Sequence, residues 1–368
     1  MRSRVLCGVA AAVALLVTGC GSDGGSGSGS GSGNASPAAG AAAAGPAAAG
    51  GFPVEVTDCA GAGTTFTSAP RRIVTSNAAG LEMLLQLGAG DRVIGTGFPP
   101  GKGSLPAALA EQGAKVPVLG DMVIPKEKLL GSGADLYVET FADMSGMGGA
   151  MGSAPTAQEY AAAGIKRVFL ASTACAATTQ GPQRDLAGVE DDVKRLGRVT
   201  GTSAKAEELV AGMEQRIGSV TAALAGVAAD RRPTYFFFDF DAGTKQPVAV
   251  CGKQVANAVI TLAGARNVFA DCDADFRPVA WEEVVGRNPD WIQLGVRDKG
   301  SEAENARAFD EAERFLREFP ATKGLKAVQE GHFLRIGSEV TTIAGVRNAE
   351  TVQRIAATVH PDLVKGGQ

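Results

Sequence analysis

Histidine is almost missing from this sequence: 368 residues include two, His332 and His360. Acid–base and triad chemistry lean on imidazole, so catalytic candidates are few. Direct capture of Zn²⁺ or Mn²⁺ is equally short of ligands. His332 stands beside an expected strand and His360 near the C-terminus, and structural roles are expected for both. Neither HExxH nor CxxC occurs, which sets aside a zinc protease, a zinc ribbon and a thioredoxin-like redox pair. Positive charge is not in excess either. Lys and Arg number 35 against 39 Asp and Glu, a net charge of −4, so nucleic acid is a poor partner. The stretch "GTGFPPGKG" (95–103) looks like a phosphate loop, but the GxxxxGK[ST] spacing fails. Gly103 replaces the Mg²⁺-binding hydroxyl, and two prolines remove backbone donors. No catalytic residue, metal site or cofactor is assigned, and the chain is not expected to be an enzyme.

What is present begins with a targeting segment. Arg2 and Arg4 precede a short apolar run, Val5 to Val17, in the layout of a secretory leader. The run is too short for a spanning helix, which needs about 20 residues. It stops at Cys20, and "LVTGC" resembles the bacterial lipobox, whose cysteine is acylated and becomes the new N-terminus. The Gly/Ser/Ala-rich stretch that follows makes a flexible leash. The expectation is an exported protein held by lipid on the outer face of the cytoplasmic membrane. Of six cysteines, Cys7 leaves with the leader and Cys20 is lipidated. Cys59, Cys175, Cys251 and Cys272 remain, an even number in an oxidising compartment. The expected pairs are Cys59–Cys175 and Cys251–Cys272, one in each half. The run "DMSGMGGAMGS" (143–153) places Met144, Met147 and Met151 close together. They suit either Cu(I) or a mobile loop beside an irregular ligand, and the absence of Cys or His favours the loop.

After Phe52, short β-type runs alternate with helical patterns. "RRIVTSN" (71–77), "DRVIGTG" (91–97), "ADLYVET" (134–140) and "IKRVFLAS" (165–172) form one series. "PTYFFFDF" (233–240), "RNVFAD" (266–271), "DWIQLG" (290–295) and "HFLRIGS" (332–338) form another. The alternation predicts parallel α/β structure. The series also match each other without gaps: "LLQLGAGDRVIG" (84–95) over "VITLAGARNVFA" (259–270), and "EKLLGSGADLYV" (127–138) over "EEVVGRNPDWIQ" (282–293). Asp135 and Asp290 fall at the same offset. Two similar units predict two similar lobes. Between them, Leu209, Met213, Ile217, Val220, Leu224 and Val227 step by three or four, predicting a helix over 203–229, about 40 Å long. The boundaries read as 1–19 leader, 20–54 tether, 55–182 first lobe, 183–230 connecting helices and 231–368 second lobe.

A lipobox, a Gly/Ser leash, "APRRIVTSNAAGLEMLLQLGAGDRVIGTG", "ADLYVE", a long connecting helix and "ARNVFADCDADFRPVAWEEVVGRNPDWIQLG" occur in that order. This combination resembles the substrate-binding lipoproteins of ABC importers for ferric siderophores, haem and cobalamin, over residues 55 to 365. The resemblance implies two Rossmann-like α/β lobes bridged by one long α-helix. In open parallel sheets ligands bind beyond the carboxyl ends of the strands. Those ends offer Ser76, Asn77, Phe98, Thr140 and Phe141 from the first lobe. The second offers Asp239, Asp241, Phe276, Arg277, Arg297, Thr341 and Thr342, with Trp281 on the helix after Arg277. The phenylalanines form apolar walls, and Arg277 or Arg297 forks onto chelate oxygens. Asp239 and Asp241 argue against a strongly anionic ligand, so a hydroxamate-type ferric siderophore is expected. Cobalamin or haem is the alternative, and an extracytoplasmic two-lobe metal-dependent enzyme the alternative from another class. The resemblance also implies a monomer that docks on an ABC permease dimer with its ATPase. Glu127 and Glu282, equivalent in the repeat, match the family's docking glutamates, which meet permease arginines.

Overall fold

The structure is a computed structural model that describes residues 51–101, 104–141 and 154–365. Cys20, the leader, most of the tether and the methionine-rich run therefore lie outside the described residues. The first half contains β1 (Val54–Thr57), β2 (Gly63–Phe66), β3 (Ile73–Thr75), α1 (Ala78–Gln86), β4 (Val93–Gly97), α2 (Ala107–Ala114) and β5 (Val118–Gly120). It continues with α3 (Lys126–Leu130), β6 (Leu136–Glu139), α4 (Ala157–Ala162), β7 (Lys166–Phe169) and α5 (Ala171–Ala174). Two connecting helices follow, α6 (Ala187–Thr200) and α7 (Ser203–Ala223). The second half holds β8 (Thr234–Asp239), β9 (Val248–Val250), α8 (Val255–Leu262), β10 (Arg266–Asn267), β11 (Phe276–Pro278), α9 (Trp281–Arg287) and β12 (Trp291–Gly295). It ends with α10 (Glu302–Glu318), α11 (Lys326–Glu330), β13 (Phe333–Arg335), α12 (Glu339–Thr342) and α13 (Asn348–Val359).

Each half builds one parallel sheet, in the order β5-β4-β3-β6-β7 and β10-β8-β12-β13. Strands buried on both faces of a parallel sheet run continuously apolar. In β8, Tyr235, Phe236, Phe237 and Phe238 are all fully buried. The order of pairing reverses at β3 and at β8, so both switch points open at the carboxyl ends of these strands. The two matched aspartates do the same work in each half. Asp135 accepts from the backbone N–H groups of Arg71 and Arg72, at 2.8 and 3.0 Å, ahead of β3. Asp290 accepts from the N–H and hydroxyl of Thr234, both at 2.7 Å, at the start of β8. The repeat read from the sequence is thus a repeat of structure.

The bridging helix is shorter than its apolar spacing predicts. It ends at Ala223, about 32 Å from its start, and the chain turns at Leu224, which is buried. Val227 continues the apolar series but packs on the core from beyond the helix. Ala206, Val210, Met213 and Val220 face inward, against α6, α8 and α13. One apolar cluster contains Leu81 and Leu84 of the first lobe, Val210 and Met213 of the bridge, and Val259 and Ile355 of the second. The bridge is therefore part of a common core. Gly212 and Gly218 lie on its outer face, with nothing within 4 Å of where a Cβ would stand. Substituting either by Ala is expected to raise unfolding free energy by about 0.5–1 kcal/mol, read as a higher denaturation midpoint.

Both expected disulfides form. Cys59, in the β1–β2 hairpin, joins Cys175 after α5, and Cys251 after β9 joins Cys272. They close separations of 116 and 21 residues. β9 and β11, separated in the chain by α8 and β10, pair antiparallel as a two-stranded sheet, and Arg277 lies on β11.

Candidate ligand-binding cleft

A cavity of about 460 Å³ lies between the lobes at the carboxyl ends of their sheets. The first lobe supplies Ala78, Glu82 and Met83 of α1, the Phe98–Gly101 turn after β4, and Asp121 after β5. The second supplies Val296 and Asp298 after β12, Gly337 and Glu339 after β13, and Arg347 before α13. Phe98 is the expected site residue that lines it. The backbone there has φ of +31°, uncommon for a residue with a side chain. Pro99 follows, and the N–H of Ala78 holds the Phe98 carbonyl at 3.0 Å at the head of α1. Next in the turn, Gly101 presses on the opposite lobe. A Cβ at Gly101 would stand 2.2 Å from the Asp298 carboxylate, so any larger residue there has to displace that side chain.

Seven of the other expected residues form two groups beside that cavity. Ser76, Asn77 and Thr140 are joined: the Thr140 hydroxyl donates to Asn77 Oδ1 at 3.1 Å, and its N–H donates to Ser76 Oγ at 3.1 Å. Asn77 is buried and caps α1, accepting from the N–H groups of Ala79 and Gly80. Phe141 follows β6 and is half-buried. Across the cleft, Arg297 lies 3.8 Å from Asp239 and Lys299 lies 2.6 Å from Asp241. Burial pushes the Asp239 carboxyl above its usual range, against the pull of Arg297. Because both acids have cationic partners, they do not oppose an anionic ligand as the sequence reading holds.

Four expected residues need correction. Trp281 is 4% exposed, locked among Phe238, Phe315 and Phe319, and its Nε1 donates to the Thr244 carbonyl at 2.8 Å. It is core, not cleft. Arg277, on β11, is spent on Glu283 at 2.9 Å at the surface. Phe276 packs on Phe237, Val250 and Ala256. Thr342 is buried, with its hydroxyl donating to the Ser338 carbonyl at 2.9 Å. The histidines take structural places: His332 stacks on Trp291 at 4.3 Å, and His360 Nε2 bonds the Gly264 carbonyl.

The sequence reading missed the charged wall of the cavity. Glu82 of α1 pairs with Arg347 of the other lobe at 2.7 Å, and burial pushes the Glu82 carboxyl up despite that partner. Glu339 accepts from the Asp298 N–H at 2.9 Å and is also pushed up by burial. A signal existed for Glu82, a lone acid inside the apolar run "LEMLLQL". Its partner lies 265 positions later, where no local pattern reaches.

At the end of β6, Glu139 is buried and bound by Arg167 at 2.6 Å, whose guanidinium lies over the Tyr160 and Phe169 rings. Burial raises its carboxyl from 4.5 to about 7, with Arg167 opposing. Its contribution to stability is full below about 4.5 and is lost as pH rises through about 7. Chemical denaturation across pH 4–8 should show that fall, at most about 3 kcal/mol. Glu139→Gln should flatten it; an unchanged slope counts against the assignment.

A two-lobed α/β frame with a cleft at paired switch points, lined from both lobes by apolar and charged side chains, is an arrangement suited to holding a small molecule. The chain belongs to the family described as periplasmic binding protein, whose profile matches residues 73–340. It is 22% identical over 315 residues to the uncharacterized ABC transporter substrate-binding lipoprotein YvrC of Bacillus subtilis, covering 85% of this chain and 88% of that one. It is 24% identical over 254 residues to a cobalamin-binding protein of Halobacterium salinarum, covering 67% and 59% respectively. A solved ABC-type Fe3+-hydroxamate transport system protein from Saccharomonospora viridis superposes with a TM-score of 0.67. That match has 22% identity and covers 84% of this chain and 99% of that one. Among the described residues, no helix is long and apolar enough to cross a membrane.

Proposed function

We propose that this chain is the lipid-anchored, extracytoplasmic substrate-binding protein of an ABC importer, and that it carries a ferric siderophore of the hydroxamate type. The observation that carries the reading is the 460 Å³ cavity lined from both lobes at the strand ends, within the ~300–1,000 Å³ of small-molecule sites. Membership of the family and the likeness to YvrC support the transport role. The hydroxamate choice draws on the Saccharomonospora viridis relative. Cobalamin is the second reading, drawn from the Halobacterium salinarum relative.

Isothermal titration of the mature protein with ferric trishydroxamates, ferric triscatecholates, cobalamin and haem separates these. Calorimetry is preferable to tryptophan quenching, because Trp281 is core and Trp291 opens β12 at the end away from the cleft. Tightest binding of a ferric trishydroxamate supports the reading, and tightest binding of cobalamin replaces it. Anchoring through Cys20 is checked by fatty-acid labelling, which Cys20→Ala should abolish.

A further inference from the structure

The inter-lobe cavity continues beyond the cleft. It shares Asn305, Phe309, Arg335 and Arg354 with a second cavity of about 670 Å³ that opens outward between α10 and α13. The shared residues lie where the edge strand β13 ends, so the two spaces meet across the carboxyl end of the sheet. The arginines around this junction are not equivalent. Arg335 lies 2.7 Å from Asp310 and 3.0 Å from Glu313. Arg347, on the inner wall, is paired with Glu82. Arg354 donates one bond, to the Arg335 carbonyl at 2.7 Å, and has no carboxylate within 4.0 Å among the described residues. A guanidinium carries five N–H donors in a planar fork suited to a carboxylate; Arg354 is exposed, so the donors left by that single carbonyl face solvent and are open to a ligand. Phe309 lines both cavities beside it and supplies an apolar wall.

We propose that this junction is a subsite for a ligand arm ending in a carboxylate. The body of the chelate lies between the lobes, the arm passes along Phe309, and its terminus meets Arg354. The inference deepens the reading of the cleft as the ligand site and rests on it. The cation–anion pairs at Asp239 and Asp241 remove the objection to a negative ligand, and Arg354 gives that charge a place to go.

The test uses one ferric linear trishydroxamate in three forms: with a free terminal amine, N-acetylated, and N-succinylated. The chelating core is constant while the arm carries a positive, zero or negative end. The succinylated form is expected to bind about tenfold or more tighter than the acetylated form. Arg354→Gln should bring it down to the acetylated level and leave the acetylated form unchanged, and Arg354→Lys should retain part of the preference. Equal affinities for the three forms, or an equal loss for all three in Arg354→Gln, overturn the subsite. A second measurement does not depend on the chelate. In NMR titration, 3-phenylpropionate should shift the signals of Asn305, Phe309 and Arg354, while its methyl ester should not. No shift with the acid overturns the proposal. A shift with the acid alongside no binding of any trishydroxamate keeps the subsite and removes the hydroxamate reading.

Discussion

Replacing Glu127 and Glu282 together by alanine is expected to leave ligand affinity unchanged and to abolish uptake, with loss of ligand-stimulated ATP hydrolysis by the permease. Glu127 stands in the first turn of α3 and Glu282 in the first turn of α9, and both are exposed. A carboxylate in that position is favoured by the helix dipole alone, so exposure by itself decides nothing. Their neighbours decide more. Lys126 is taken by Glu159 at 2.5 Å, and Glu283 by Arg277 at 2.9 Å. Glu127 and Glu282 make no ion pair within 4.0 Å among the described residues. The charged residues next to them are spent on the fold, while the pair equivalent in the repeat is not. Each precedes the strand, β6 or β12, whose entry aspartate ties down β3 or β8, so the two lobes present them in matching places. A partner built from two like subunits would meet both at once. Truncating one member of a buried interfacial charge pair costs about 2–5 kcal/mol, and two such losses exceed what a transient complex retains. Neither residue lines the cleft, so calorimetry on the double variant should match the parent. Normal uptake by that variant, at normal surface expression, would remove the docking assignment.

What could be read beforehand follows from the range of the interactions concerned. The eight strands, the duplicated units and the Asp135/Asp290 pair are written in short windows, where alternation and turn residues act locally. The disulfides were legible because four cysteines and two lobes leave few sensible pairings. The end of α7 was not, since Leu224 and Val227 keep the helical spacing while the chain turns under them. Trp281 misled for a similar reason: a tryptophan just after a strand-end arginine fits a cleft wall. The aromatic cluster that buries it is assembled from β8 and α10, 34 or more positions away. The Glu82–Arg347 part of the charged wall depends on the packing of α1 against the turn before α13. Pairs such as Glu82–Arg347 exist only once two lobes share a core, and sequence periodicity carries no information about that.

Asp192→Ala is expected to lower the unfolding free energy by about 3–5 kcal/mol, the size seen when one partner of a buried ion pair is removed. Asp192 lies on α6 with its side chain fully buried. It accepts from the N–H groups of Ala171 and Ser172 at 2.8 and 2.9 Å, from the Ser172 hydroxyl at 2.6 Å, and from Arg195 at 2.7 Å. Every partner is a donor, so alanine strands four of them at once, two being backbone groups at the start of α5. The position matters because α5 begins the crossing between lobes. Thr173, on α5, accepts the Ala344 N–H from the second lobe at 2.8 Å. Farther along the crossing, Gln183 donates to both the Ser172 and Lys253 carbonyls, at 2.9 and 2.6 Å. Loosening Asp192 therefore frees the segment that sets one lobe against the other, and cleft affinity should fall along with stability. Asp192→Asn preserves shape but turns an N–H₂ toward donors, so a smaller loss of about 1–3 kcal/mol is expected. Adding Arg195→Met to Asp192→Ala removes the stranded cation and should recover part of the loss. Denaturant titration of the parent, Asp192→Ala, Arg195→Met and the double variant measures the coupling directly. A loss under 1 kcal/mol for Asp192→Ala, or no recovery in the double variant, would mean that this buried carboxylate does not hold the crossing together.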